Sequence, residues 1–212
     1  MNIIKKKNTD NILNHEIKNG NNIIPYFDDI EFHLLKYINE STYIIGCVAW
    51  LTNENIIDAI IKKEGCKLIV NKEEYLSSKL HHRNNRYCCN LRNKYDNIKD
   101  LCEIKIDKNN PIYNNLIEPL INTNKKGAIL TCGIVNNKCK LHHKFIIFYD
   151  KSLNPIGVWT GSYNLSVNSN YSLENVIFIK DEYVINEYLK EFIMISKKSE
   201  PYNWVNGSID LE

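Results

Sequence analysis

Long apolar runs, a hydrophobic leader and a strong net charge are all missing from this chain of 212 residues. No segment approaches the roughly 20 apolar residues that a membrane helix needs, and the longest candidate, residues 43–51, suits a buried strand. The polar start, residues 1–11, lacks the apolar core of a secretory signal peptide. A formal net charge of +2 does not by itself indicate a nucleic-acid-binding protein. We expect an intracellular, cytoplasmic protein without a transmembrane segment, on which any basic surface is local.

The cysteines do not form an obvious disulfide framework, because their number, seven, is odd. We expect reduced thiols, as in other intracellular proteins. The chain length and a hydrophobic content of 43% are typical of one globular domain with a substantial core. No internal repeat is visible. We divide the chain into an N-terminal arm (1–22), a folded domain (23–196) and a C-terminal tail (197–212).

Strands and helices alternate along the first half of the chain. Residues 23–27, 42–51 and 66–70 have the apolar, β-branched composition of strands. Apolar stripes over residues 32–38 and 52–63 predict helices between them. Such an order places successive strands in parallel. We therefore predict an α/β fold with a mixed, mostly parallel sheet flanked by helices on both faces.

The second half adds more strands and a long helix. Residues 128–135 and 139–149 are predicted to be joined by a turn at Asn136-Asn137. A hairpin loop over residues 151–157 leads to a returning strand. The remaining predicted elements are strands over 158–160 and 175–180, a short helix over 115–122 and an amphipathic helix over 181–196.

The residues that carry chemistry are concentrated between positions 141 and 175. Alternate side chains of a strand share a face, so His142 and Lys144 point the same way and His143 points the other way. The returning strand brings Ser162 and Asn164 alongside. A lysine charge with neutral hydroxyl and amide donors suits a phosphate oxyanion, and an imidazole there can act as a nucleophile or as a general acid or base.

These residues resemble the HKD motif of the phospholipase D superfamily, His-x-Lys followed by Asp and then by Gly-Ser-x-Asn. The chain has His142-His143-Lys144, then Asp150, then Gly161-Ser162-Tyr163-Asn164, and Glu174 after them. The family usually has four residues between Lys and Asp, whereas five are present here, so Tyr149 stands where the aspartate is expected. Either a bulge delivers Asp150 to the site, or its role is weakened.

The resemblance implies a role for each residue of the motif. His142 would attack phosphorus and form a covalent phosphohistidine that water resolves; the alternative is a core histidine. Lys144 would hold a non-bridging phosphate oxygen. Glu174 would hydrogen-bond the catalytic imidazole, unless it is only a loop carboxylate.

The resemblance also covers the Gly-Ser-x-Asn segment. Asn164 would share the phosphate clamp, and Ser162 would either contact substrate or fix the loop. Gly161 would allow close approach of the backbone. His143 is expected to be a packed or surface ring.

The family builds an active site from two HKD motifs, and this sequence contains one His-x-Lys. The resemblance therefore implies a homodimer whose two copies meet at the site. It implies no metal or other cofactor, because Lys144 and Asn164 supply the electrostatic stabilisation.

A basic stretch over residues 79–94 has two interpretations. Lys79, Arg83 and Arg86, supported by Arg92 and Lys94, would bind nucleic-acid phosphates. The alternative is a solvated helix or loop face. Two adjacent pairs, His81-His82 and Cys88-Cys89, also raise the possibility of zinc, although adjacent ligands are not the usual spacing.

The sequence as a whole favours a metal-independent phosphodiesterase with a phospholipase D-like catalytic domain over residues 23–196, and most of all an endonuclease acting on DNA or RNA. A hydrolase of cardiolipin or a similar phospholipid would share the same chemistry, and contact with a membrane surface stays open. A degenerate copy that only binds nucleic acid or protein is the third hypothesis, and the displaced Asp150 is the feature that supports it.

Overall fold

A computed structural model describes residues 22–76, 86–105, 108, 113–123, 125–135 and 140–202 of the chain. The strands are β1 (Ile23–Tyr26), β2 (Tyr43–Val48), β3 (Gly65–Asn71), β4 (Ile129–Cys132), β5 (Lys144–Tyr149), β6 (Pro155–Gly161), β7 (Val176–Ile179) and β8 (Glu200–Pro201). The α-helices are α1 (Ile30–Glu40), α2 (Glu54–Ile61), α3 (Arg86–Asp96), α4 (Glu118–Asn122) and α5 (Glu182–Lys197). Short 3₁₀ turns lie at Glu74–Leu76, Leu101–Glu103 and Val167–Tyr171, and a π-helical turn at Tyr113–Ile117 precedes α4.

The described strands form one sheet in the order β1-β7-β6-β5-β2-β3-β4-β8. The predicted α/β class and mixed sheet are confirmed. The expectation that most strands run parallel holds only for β2, β3 and β4, because the other five neighbouring pairs are antiparallel. Connection length explains the difference. A helical crossover joins β2 to β3, whereas β5 and β6 are joined by a five-residue turn that allows only an antiparallel pair.

Helices cover both faces of the sheet, as predicted. Helices α1, α2 and α3 pack on one face, here called the first face, together with Ile146 and Phe148 of β5. Helices α4 and α5 pack on the second face with Phe145 and Ile147 of the same strand. Because side chains alternate along a strand, Lys144 belongs to the first face.

Two predicted helix starts are confirmed by their capping bonds. The Asn53 side chain accepts hydrogen bonds from the backbone N–H groups of Asn55 and Ile56, at 3.0 and 3.4 Å, and so caps α2. Asp181 accepts from the N–H of Val184 at 3.0 Å and caps α5. Most of the predicted arm, residues 1–21, lies outside the described residues. The sheet continues into the predicted tail, because β8 pairs with β4.

Two predicted connections differ from the structure. The turn between β5 and β6 spans residues 150–154 rather than 151–157, and Gly157 lies inside β6. A Cβ atom at Gly157 would lie 2.3 Å from Cζ of Phe178, so glycine is needed there for packing rather than for a turn. β4 and β5 are not neighbours, since β2 and β3 lie between them. A single bridge joins Gly133 to Lys140, and Asn136-Asn137 lie outside the described residues.

Candidate active site

His142 and Lys144 meet at the start of β5, where this strand pairs with the end of β2. The Lys144 Nζ atom lies 3.3 Å from both ring nitrogens of His142 and donates to the His142 carbonyl oxygen at 2.9 Å. Lys144 is buried to 9% exposure, while His142 is exposed. The two side chains therefore share a face, as strand alternation predicted, and present a cation beside an accessible imidazole.

His143 points to the opposite face of the sheet. Its Nε2 atom lies 3.2 Å from Oε1 of Glu191 on α5, and its ring meets Phe145 edge-on with a centroid distance of 5.8 Å. These contacts confirm the prediction that His143 is a packed surface ring.

The charges at this site oppose protonation of the His142 ring. The neighbouring Lys144 cation is the main cause that lowers the pKa of His142, and partial burial lowers it further. Burial also lowers the pKa of Lys144, against the opposing effect of the Glu174 carboxylate. Since the usual histidine pKa is close to 6.5, His142 is mainly neutral at neutral pH. A neutral imidazole has the free lone pair that a nucleophile requires.

The Gly-Ser pair at the end of β6 is held against the start of β7. A Cβ atom on Gly161 would lie 2.1 Å from the carbonyl oxygen of Asn175, so the close backbone approach expected at this glycine is present. The Ser162 N–H donates to that carbonyl at 2.9 Å, and the Asn175 N–H donates to the Ser162 Oγ atom at 3.1 Å. The Ser162 hydroxyl donates to Glu174. Ser162 therefore fixes the loop that carries Glu174.

Glu174 has a partner other than the expected one. Among the described residues its carboxylate accepts a hydrogen bond from Ser162, not from His142. Its charge nevertheless reaches the site, because it raises the pKa of Lys144. Glu174 thus lies close enough to favour the charged form of the lysine.

Asn164 follows Ser162 by two residues and carries an unsatisfied polar atom. Its Oδ1 atom is buried and has no hydrogen-bond partner within the described part of the chain. Buried polar atoms in folded proteins are rarely left unpaired, and the oxygen and nitrogen of an amide exchange places by a simple flip. The role of Asn164 in a phosphate clamp stays a prediction, with one buried amide atom left unpaired among the described residues.

Trp50 is a residue of this site that sequence reasoning missed. It follows β2, and its ring meets His142 edge-on with a centroid distance of 5.7 Å. The Lys144 Nζ atom lies 5.9 Å from the centre of the same ring, within the range of a cation–π contact. Trp50 therefore contacts both His142 and Lys144.

Two polar residues, Asn71 at the end of β3 and Glu73 after it, hold Trp50 and the segment that precedes β5. The indole N–H of Trp50 donates to Oε1 of Glu73 at 3.1 Å, and the Asn71 amide donates to the same oxygen at 2.6 Å. The Asn71 Oδ1 atom accepts from the N–H of Leu141 at 3.0 Å. A usable signal existed, since ligands bind where parallel strands end and both segments follow parallel strands.

Comparison with known proteins assigns the family. The sequence profile described as "Cardiolipin synthase, PLD-like domain" matches residues 34–195, more than half of the chain. The chain belongs to the phospholipase D superfamily. Uncharacterized protein L381 of Acanthamoeba polyphaga mimivirus is 46% identical over 205 residues, covering 92% of this chain and 72% of that protein. Membership of the superfamily supports a phosphodiesterase.

Two solved structures share the phospholipase D-like fold. NucT from Helicobacter pylori has a TM-score of 0.53 at 15% identity and covers 84% of this chain and 98% of its own. Nuc from Salmonella typhimurium, described as a phospholipase D family member, has a TM-score of 0.50 at 14% identity and covers 86% of this chain and 98% of its own.

Within the described part of the chain, no helix combines the length and the apolar character needed to cross a membrane.

The phospholipase D aspartate is the motif residue that the structure does not bring to the site. Asp150 lies beyond the far end of β5, and the six residues of this strand alone, which span roughly 20 Å, separate it from the end where His142 lies. Its Oδ1 atom accepts from the N–H groups of Ser152 and Asn154, both at 2.8 Å, so it caps the β5–β6 turn. The one irregularity between these strands lies on β6 and does not redirect Asp150. Tyr149 is buried in the second face and does not obstruct the phospholipase D site.

Only part of the basic stretch over residues 79–94 lies among the described residues, and that part contributes little to the phospholipase D site. Lys79, Arg83, His81 and His82 lie outside the described residues. Arg86 is exposed at the start of α3, whereas Lys94 binds Asp58 and lies 3.5 Å from Glu54. Cys88 is buried and Cys89 is partly buried. No cluster of three or more metal-binding side chains is found among the described residues.

Proposed function

We propose that this protein is a metal-independent endonuclease that cleaves nucleic-acid phosphodiester bonds through a covalent phosphohistidine. The observation that carries the proposal is the contact at 3.3 Å between the Lys144 ammonium group and the accessible His142 ring. A neutral imidazole beside a buried cation supplies a nucleophile and a charge for the phosphate oxygens. Exposed Arg86 at the start of α3 supports nucleic acid as the substrate.

The first step transfers the phosphoryl group to His142. A ring nitrogen of His142 attacks phosphorus, so that a P–N bond forms while the bond to the leaving oxygen breaks. Lys144 and the Asn164 amide hold the non-bridging oxygens, whose charge increases in the transition state. The leaving oxygen takes a proton from His142 of a second copy of the chain, whose protonated form the anionic phosphodiester favours, in the homodimer that one HKD motif implies.

The second step releases the phosphate end. The second histidine, now neutral, removes a proton from a water molecule. The resulting hydroxide attacks phosphorus, the P–N bond breaks, and His142 regains its lone pair. Glu174 stays near Lys144 and supports its positive charge.

Cleavage assays with a matched pair of variants test this proposal. Labelled single-stranded DNA, duplex DNA and RNA are incubated with the protein in EDTA. We expect His142→Ala to lose at least about 10³-fold in kcat/KM, and His143→Ala, on the opposite face, to change it by less than about 3-fold. Equal cleavage by wild type and His142→Ala would contradict the proposal.

The dimer has its own test. Wild-type chains are co-expressed with an excess of His142→Ala chains, and the activity per wild-type chain is measured. In a shared site each mixed dimer lacks one histidine, so the activity falls below that of wild type alone. Unchanged activity per wild-type chain, together with a monomer in analytical ultracentrifugation, would contradict the shared site.

A phospholipid hydrolase is the second candidate function, and one observation favours it. Tyr171 and Leu173 are 86% and 90% exposed, immediately before Glu174 in the loop that follows the motif. Exposed apolar side chains at the mouth of a site can contact lipid. Cardiolipin vesicles therefore form a parallel arm of the cleavage assay, and hydrolysis of vesicles without cleavage of nucleic acid would favour this candidate.

A further inference from the structure

A cleft of about 460 Å³ lies beside the bridge that joins Leu51 to Leu165. Its walls are residues 52–55 at the start of α2, Tyr87 on α3, and residues 166–168 after the motif loop. The volume is within the range of about 300–1,000 Å³ that small-molecule sites occupy. None of the motif residues lines it, so the cleft is a separate feature of the surface.

The cleft and the active site share two chain segments. Leu51 and Leu165 form a parallel bridge, and the Leu165 carbonyl accepts from the N–H groups of Thr52 and Asn53 at 2.8 and 2.9 Å. Trp50, which contacts His142, precedes this bridge on one segment, and Asn164 precedes it on the other. Two of the three walls therefore begin about two residues, roughly 7 Å of extended chain, from Trp50 or Asn164.

The chemistry of the lining selects a class of ligand. Among the described residues that form the walls there is no lysine or arginine, and the one carboxylate, Glu54, lies 3.5 Å from Lys94. The lining itself therefore offers no cation to a phosphate group, and the nearby Lys94 is paired with Asp58 and Glu54. Most of the lining side chains are amides and hydroxyls, yet the exposed surface of the cleft is more apolar than polar, with Val167 and the 46% exposed Tyr87 ring contributing to it. Amide groups match the donor and acceptor edges of a nucleobase, and an aromatic ring can stack on its face.

The walls of the cleft are held in place before any ligand binds. The Glu31 carboxylate accepts from the side-chain N–H groups of Asn53 and Asn55 at 2.9 and 3.1 Å. The Asn55 amide is thereby oriented. The Tyr87 hydroxyl donates to the Thr52 carbonyl at 3.3 Å and fixes the ring. Preorganised groups lose less conformational entropy when a ligand binds.

We propose that this cleft binds one unstacked base of a single-stranded nucleic acid while the neighbouring phosphodiester lies at His142 and Lys144. The inference rests on the proposed nuclease function and names its substrate class. A base inside a duplex is covered on both faces by its neighbours, so it reaches such a cleft only after unstacking. The cleft therefore makes the enzyme prefer single strands.

Substitution of Tyr87 tests whether the cleft binds a base. A phosphodiester substrate without a base, measured in parallel, reports the phosphodiesterase chemistry alone. For each variant, kcat/KM on a single-stranded oligonucleotide is divided by kcat/KM on bis(p-nitrophenyl) phosphate. We expect Tyr87→Ala to lower this ratio by about 5- to 150-fold, the range for the loss of one base–aromatic stack. Tyr87→Phe keeps the ring and should keep most of the ratio. Tyr183→Ala, which removes a tyrosine that is 73% exposed on α5, is the matched control.

A scan with single abasic sites locates the base that is bound. We expect one position beside the scissile bond at which loss of the base slows cleavage as much as Tyr87→Ala does. Abasic sites that have equal effects at every position would overturn the proposal. So would an unchanged ratio in Tyr87→Ala while bis(p-nitrophenyl) phosphate is still hydrolysed, and this result would leave the phosphodiesterase chemistry standing.

Binding measurements test whether the cleft binds a base even if no substrate is cleaved. Failure of the wild type on both substrates would remove the proposed function. The cleft is then tested by the fluorescence of an aminopurine base in a single strand bound to His142→Ala. Quenching that is lost in His142→Ala/Tyr87→Ala supports the base site, and no quenching overturns it. The base site would also be overturned, in favour of a lipid site, if Tyr87→Ala reduced hydrolysis of cardiolipin vesicles but not of oligonucleotides.

Discussion

Lysine side chains are buried at two places in this sheet, in the middle of β3 and at the start of β5, and their surroundings differ sharply. Lys67 on β3 has no exposed surface, and its Nζ atom binds both carboxylate oxygens of Asp100, at 3.0 and 2.9 Å, and the Lys125 carbonyl at 2.9 Å. Lys144 on β5 contacts only His142 and the Trp50 ring among the described residues, without a carboxylate in ion-pair distance.

The difference separates a structural charge from a functional one. The charge of Lys67 is neutralised inside the fold, so this lysine is not available to bind a ligand. Lys144 is buried without a direct counter-charge, and burial lowers its pKa. An arrangement that costs stability and lies beside a histidine is typical of an active site. The two lysines should therefore respond to the same substitution in opposite ways.

The largest effect on stability is expected at Lys67. Lys67→Met leaves the Asp100 carboxylate, which is 6% exposed, without its partner. We expect a loss of about 3–5 kcal/mol in the free energy of unfolding, the usual result of breaking a buried ion pair. Urea denaturation measures it. Lys67→Met/Asp100→Asn, which removes both charges, should recover most of the loss, and a single variant less than about 1 kcal/mol below wild type would contradict the comparison.

Lys144→Met should affect activity and leave stability nearly unchanged. It removes a buried cation without orphaning a carboxylate, so we expect the free energy of unfolding to move by less than about 1 kcal/mol. Loss of the charge that holds the phosphate should lower kcat/KM on bis(p-nitrophenyl) phosphate by about 10²- to 10³-fold. Destabilisation like that of Lys67→Met, with activity retained, would assign Lys144 a structural role.

The pH dependence of cleavage should report the influence of Lys144 on His142. The lysine cation lowers the pKa of His142 from its usual 6.5, so the nucleophile stays neutral to a lower pH. We expect kcat/KM to fall on the acidic side with a midpoint below 6.5. In Lys144→Met the repulsion is gone, so the midpoint should move upward. Proton titration of the His142 ring by NMR provides a second reading, and a midpoint that does not move would contradict this coupling.

The smallest effect is expected at Asp150, at the far end of the same strand. Asp150→Ala removes the acceptor of two backbone hydrogen bonds in the β5–β6 turn. We expect a loss of about 1–2 kcal/mol in the free energy of unfolding and a change in kcat/KM below about 3-fold. A loss of activity comparable to that of Lys144→Met would mean that Asp150 takes part in the chemistry after all.

Local patterns were sufficient for most of the elements, although not for α3, and for the arrangement of His142 and Lys144. Alternation along the chain correctly predicted that His142 and Lys144 share a face and that His143 does not. The apolar patterns located α2, α5, β2 and β3. Each of these features depends on residues close together in the sequence.

The rest depends on contacts between distant segments. Trp50 and Glu73 come together only because β2 and β3 are parallel neighbours, and no spacing in the sequence displays that pairing. Gly157 looked like a turn residue, but its lack of a side chain serves the Phe178 ring. Asp150 matched the motif by residue type, whereas its position is set by the length of β5. Residue type alone does not distinguish a turn cap from a catalytic group.

The β5–β6 turn is also a suitable position for attaching the protein to a solid support. It lies a whole strand length from His142, on the same hydrogen-bonded hairpin, and Lys151 and Ser152 at its tip are exposed. A tether inserted between these two residues would hold the enzyme with its catalytic end directed away from the support. Single-molecule measurements of substrate binding could then be made without the tether blocking the His142 end of β5.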